Sequence, residues 1–66
     1  MKQLFETDYV VYNPKQKSVL QFTDGEIVLF GDIHEAQANC SSNEIVIPCT
    51  KLPIHLQEII LIQINE

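Results

Sequence analysis

Ser18-Val19-Leu20-Gln21-Phe22-Thr23-Asp24-Gly25-Glu26-Ile27-Val28-Leu29-Phe30 is the stretch on which the fold turns. Two runs rich in β-branched and aromatic residues flank an Asp-Gly dipeptide, and such runs suit a pleated, half-buried backbone. Asp-Gly is a strong hairpin signal, because a two-residue type I′ turn needs positive φ at both central positions. The expectation is a pair of strands at about 18–22 and 26–30. In that register Phe22 pairs with Ile27, Leu20 with Leu29 and Val19 with Phe30.

Toward the N-terminus, Asp8-Tyr9-Val10-Val11-Tyr12 reads as a strand at about 8–12. The turn formers Asn13-Pro14-Lys15-Gln16-Lys17 separate it from the hairpin,. The three runs make an antiparallel meander. Side chains alternate across a strand, so with a four-residue first loop one face receives Tyr9, Val11, Leu20, Phe22, Ile27 and Leu29. The other receives Val10, Tyr12, Val19, Gln21, Val28 and Phe30. Both faces are apolar, unlike those of a sheet with one wet side.

Toward the C-terminus, Gly31-Asp32 ends the meander. Asp32 suits the N-cap of a helix at about 33–39, with Glu35 three positions on, as in a capping box,. Ile33, Ala36, Gln37 and Cys40 share one face of that helix,. Glu44-Ile45-Val46-Ile47 reads as a fourth strand, 44–47, stopped by Pro48,. The segment 53–64 begins with a proline suited to a first helical turn, and Leu56, Ile59, Ile60, Gln63 and Ile64 fit a helical stripe,. Residues 59–64 also fit a buried strand, because a short apolar run alone does not decide,. The helical reading leaves Leu61 and Ile62 on the flank of the stripe. The fold class expected is α+β, a single domain over 1–66 in the order β-β-β-α-β-α, with the helices mainly on one face.

Composition narrows the function. The chain has 66 residues, 45% of them hydrophobic, and a net charge of −5. That length permits one domain of marginal stability. The longest apolar run, Ile59-Ile60-Leu61-Ile62, is far below the ~20 residues that span a bilayer, and the start shows no signal-peptide pattern,. The expectation is a soluble cytoplasmic protein without a membrane segment, its Cys40 and Cys49 free thiols,. The basic residues are Lys2, Lys15, Lys17 and Lys51, with no arginine, which argues against direct nucleic-acid binding,. No Gly-rich phosphate loop and no calcium-loop spacing occurs, and no cofactor is expected,.

His34, Cys40, Cys49 and His55 have the right number and type of ligands for zinc. Their gaps are wider than those of zinc fingers and knuckles, which bring ligands together in close pairs. A small metal-binding protein using these four is therefore an alternative to a plainer reading, in which the cysteines are small buried hydrophobes and the histidines surface residues. A nucleophilic Cys-His pair needs a base in reach and a third orienting group, and so short a chain has little room for a cleft, so no enzyme is expected. The acidic residues Asp24, Glu26, Asp32, Glu35 and Glu44 are scattered. A weak acidic nucleic-acid mimic is a second alternative.

The positive signal is excess apolar surface. Val10, Tyr12, Val19, Val28 and Phe30 on the second sheet face, with Leu61 and Ile62 on the last helix, form the expected partner interface,. Helices on opposite faces would instead cover that surface. The function expected is a small non-catalytic protein-interaction module. A homodimer, or an accessory or inhibitor protein of a phage or mobile element, fits that class.

Overall fold

The computed structural model describes residues 2–66. Its central strand is Tyr9–Asn13 (β1), where two β-branched and two aromatic residues stand in succession. Ser18–Val19 (β2) pairs antiparallel on one side and Ile45–Pro48 (β3) on the other, in the order β2-β1-β3. Ile33–Ala38 (α1) lies between β2 and β3 in the chain. A 3-10 turn, Cys49–Lys51, leads from β3 into Ile54–Ile64 (α2). The class is α+β, as expected, but the order is β-β-α-β-α, because 26–30 is not a continuous strand.

The turn explains the difference. Gly25 takes φ +92°, which its missing Cβ permits,. Its N–H donates to the Phe22 carbonyl (2.9 Å), and the Phe22 N–H donates to the Glu26 carbonyl (2.8 Å). The loop is therefore Thr23-Asp24-Gly25, one residue longer than a type I′ turn. Gln21, not Phe22, stands opposite Ile27. A slip of one residue exchanges the faces. The expected pairings of Phe22 with Ile27, Leu20 with Leu29 and Val19 with Phe30 are all corrected by it.

The hairpin also leaves β1. The Leu20 N–H donates to the Val11 carbonyl (2.9 Å), and beyond it Phe30 takes the place beside β1 through two hydrogen bonds with Tyr9 (2.7 and 2.9 Å). The expected strand 26–30 thus contributes only the isolated bridges Gln21–Ile27 and Tyr9–Phe30.

Two cores result, one on each face of the sheet. Val10, Tyr12, Val19 and Ile27 pack with Cys49, Leu52, Leu56 and Ile60, which places α2 on the first face. Val11 and Phe30 pack with Ala36 of α1 on the second, beside half-buried Tyr9, Leu20, Val28, Cys40 and Val46. The helices therefore lie on opposite faces and not mainly on one. The alternation along β1 accounts for this: Val10 and Tyr12 point one way, Tyr9 and Val11 the other, and each apolar face needs its own cover.

The helix starts follow local chemistry. The Asp32 carboxylate accepts from the His34 N–H (2.8 Å) and caps α1. Only Ala36 of α1 is buried, whereas Ile33 and Gln37 of the expected stripe are exposed and Cys40 is half-buried. Pro53 precedes the first turn of α2, and the helix runs through residues 59–64. Gln57 fastens it to the preceding turn, donating to the carbonyls of Thr50 (3.0 Å) and Leu52 (2.7 Å).

Candidate functional site

Helix α2 is apolar nearly all round, a pattern that ordinarily marks a helix covered on more than one side,. Here the sheet covers one side only. Leu56 and Ile60 face inward and are buried. Ile54, Ile59 and Ile62 remain 68%, 48% and 63% exposed, a large open fraction for isoleucine. His55 and Glu58 are exposed as well. At 100° per residue these five side chains occupy one sector of the helix. The result is an outward strip of three isoleucines with one imidazole and one carboxylate between them.

The strip stands on a fixed support, because two amide side chains near the end of α2 imitate peptide groups. The Phe22–Glu26 and Leu20–Val28 hydrogen bonds flank the Gln21–Ile27 bridge. In antiparallel pairing the intervening residues turn their backbone groups outward, so the N–H and C=O of Ile27 point away from Gln21. Gln63 meets both: its Oε1 accepts from the Ile27 N–H (2.8 Å) and its Nε2 donates to the Ile27 carbonyl (2.9 Å). Asn65 does the same for Lys2, accepting from its N–H (2.8 Å) and donating to its carbonyl (3.1 Å). Hairpin, N-terminal segment and helix are thereby tied together.

The expected interface residues fall elsewhere. Val10, Tyr12, Val19 and Phe30 are buried in the two cores, and Val28 and Leu61 are half-buried. Ile62 alone of the seven stands in the open. The sheet patch is corrected for the reason already given: each face has a helix. Ile54 and Ile59 lie outside the expected site; the signal for Ile59 was the uninterrupted apolarity of 59–62, and no such run marks Ile54. The inward stripe drawn through Ile59 concealed it, since the inward positions are Leu56 and Ile60.

The sulfur and imidazole groups are dispersed. His34 is exposed on α1 and His55 on α2, on opposite sides of the sheet. Among the described residues no three His, Cys, Asp or Glu side chains come together as a metal site. The thiols are engaged with backbone. Cys49 donates to the Phe5 carbonyl (3.2 Å) and Cys40 to the Glu44 carbonyl (3.1 Å). Burial pushes the Cys49 thiol upward, with the Asp8 charge adding to it, so the thiolate needed for nucleophilic attack is disfavoured,. Glu44 accepts from the Ser41 N–H (3.0 Å) and hydroxyl (2.7 Å), which hold its carboxyl below the ordinary glutamate value.

The outer edge of β3 is a lesser feature. The Cys49 N–H donates to the Asp8 carbonyl (2.8 Å), and counting back along the ladder leaves the Val46 peptide groups directed outward,. Pro48 removes a donor at one end, and the Cys40 thiol occupies the Glu44 carbonyl at the other, so the edge is blunted,. Among the described residues no helix is long and apolar enough to cross a membrane. No protein-family model, curated protein or solved structure matches the chain.

Proposed function

We propose that this protein is a small, non-catalytic protein-interaction module whose docking surface is the outward strip of α2. One observation carries the reading: Ile54, Ile59 and Ile62 lie open on a single face of a helix whose opposite face is already packed. At about 25 cal/mol per Å² of apolar surface, covering three isoleucines is the largest favourable term such a surface offers. The exposed His55 and Glu58 set the orientation of whatever docks,. An accessory or inhibitor role belongs to this class of module.

The test is the double variant Ile59→Lys/Ile62→Lys, compared with wild type for self-association and for chemical cross-linking to proteins of the native host. Unchanged thermal melting shows that the fold is intact. The expected result is association by the wild type that the variant loses. A wild type that associates with nothing, or a variant that associates equally well, overturns the proposal.

A further inference from the structure

We infer that Asp24-Gly25, at the tip of the hairpin, is a modification site where the folded chain rearranges to isoaspartate. The inference does not depend on the docking role proposed above. Of the three aspartates and four asparagines in the chain, only Asp24 is followed by glycine. A residue without a Cβ leaves its backbone nitrogen open to the preceding carboxyl. The space around Gly25 is empty, since a Cβ there meets no atom within 4 Å. The Asp24 Oδ1 accepts from the Glu26 N–H (3.0 Å), an Asx turn that carries the carboxyl forward along the Gly25 peptide,. Thr23, Asp24 and Gly25 are all exposed, so water reaches the reacting atoms.

The Gly25 nitrogen attacks Cγ of the Asp24 carboxyl in its acid form. A C–N bond forms, the Cγ–OH bond breaks, and the nitrogen's proton leaves with the hydroxyl as water, closing a five-membered imide. A second water adds to the Asp24 main-chain carbonyl carbon, and the bond from that carbon to nitrogen breaks. That carbon becomes the free carboxyl group, and the chain now runs through Cβ and Cγ. Nothing is oxidised or reduced, and the mass and the net charge of −5 are kept. Two hydrogen bonds oppose the attack. The Gly25 N–H donates to the Phe22 carbonyl (2.9 Å), and the Glu26 N–H holds the carboxyl. The reaction therefore proceeds from a frayed tip, a local opening of the native state. Its product has one more backbone atom in a loop closed by the Phe22 N–H on the Glu26 carbonyl (2.8 Å). The added length shifts Glu26 and Ile27 against their partners and strains the Gln63 clamp on Ile27.

The full chain, aged at neutral pH and physiological temperature, tests it. Cleavage after lysine gives the peptide Ser18–Lys51, which holds both Asp24 and Asp32. Chromatography separates its isomers, and electron-transfer fragmentation locates the isoaspartate. Isoaspartate is expected to accumulate at Asp24 and not at Asp32, whose neighbour Ile33 carries a branched side chain. Asp24→Glu, which would have to close a six-membered ring, is expected to abolish it. Circular dichroism shows whether that variant keeps the fold. In urea above the unfolding transition the rate is expected to rise roughly thirtyfold, the factor for two hydrogen bonds of about 1 kcal/mol each. The purified isoaspartate form is expected to melt below the unmodified protein. Aged native chain without isoaspartate at Asp24, or with as much at Asp32, overturns the inference. A rate unchanged by urea overturns the control by the tip hydrogen bonds, and equal melting of the two forms overturns the coupling to the hairpin.

Discussion

Replacing Gln63 by leucine tests whether the amide of α2 holds the hairpin. Leucine keeps most of the side-chain volume but removes both hydrogen bonds to Ile27 (2.8 and 2.9 Å). Each such bond contributes about 1 kcal/mol net, and a buried backbone donor or acceptor left unpaired costs about 1–3 kcal/mol. Ile27 is buried, so part of that penalty applies. The expected loss is roughly 2–4 kcal/mol, a large share of the 5–15 kcal/mol typical of folded domains. In a domain of this size it lowers Tm by roughly 10–25 °C. Urea unfolding followed by far-ultraviolet circular dichroism reads it directly. Gln63→Glu is the control. A carboxylate accepts from the Ile27 N–H but presents a lone pair to the Ile27 carbonyl, so at neutral pH it is worse than leucine. Protonation restores a donor, so its folded pKa lies above its unfolded one. Its deficit then shrinks as pH falls through the carboxylate range. If Gln63→Leu stays within about 0.5 kcal/mol of wild type with the same urea dependence, the clamp is not what fastens the hairpin.

Three further outcomes follow from the same structure. A Cβ at Gly25 or at Gly31 meets no atom within 4 Å, but Gly25 has φ +92°. Thermal melts should therefore show Gly25→Ala losing about 1–2 kcal/mol of stability and Gly31→Ala changing it by less than about 1 kcal/mol in either direction. A thiol-reactive dye should modify half-buried Cys40 in the native protein and buried Cys49 only as the chain unfolds; equal rates in a Cys40→Ser/wild-type comparison would contradict this. In pH titrations of stability, Glu44 has a lowered folded pKa, so its contribution is present above the ordinary carboxylate range and lost as pH falls through and below it,. Cys49 has a raised one, so its contribution holds below the thiol range, about pH 8.5, and is lost as pH rises beyond it,. Glu44→Gln should flatten the acid limb and Cys49→Ala the alkaline limb.

Several elements were legible because their causes lie within a few residues. The β-branched run of β1, the cap from Asp32, the stop at Pro48 and the proline before α2 each act over one turn or one strand end,. The excess of apolar side chains over what one small core can hold was legible too, since it depends on composition alone.

Which side chains make up that excess depends on contacts between distant segments. A loop of three residues in place of two, Thr23-Asp24-Gly25, exchanged the faces of the hairpin. The Gln63 amide then met Ile27 across 36 positions of chain. Local propensity is nearly blind to both, because adjacent registers have similar local energies and differ mainly in what packs against them. The sheet faces expected to be open were closed by helices on both sides, and the open apolar surface passed to the α2 residues Ile54, Ile59 and Ile62 and to the separate side chains of Phe5, Phe22, Ile33 and Ile45. A helix with apolar side chains nearly all round declares that something must cover more than one side of it. Only the direction from which the sheet approaches decides which of its residues stay in water.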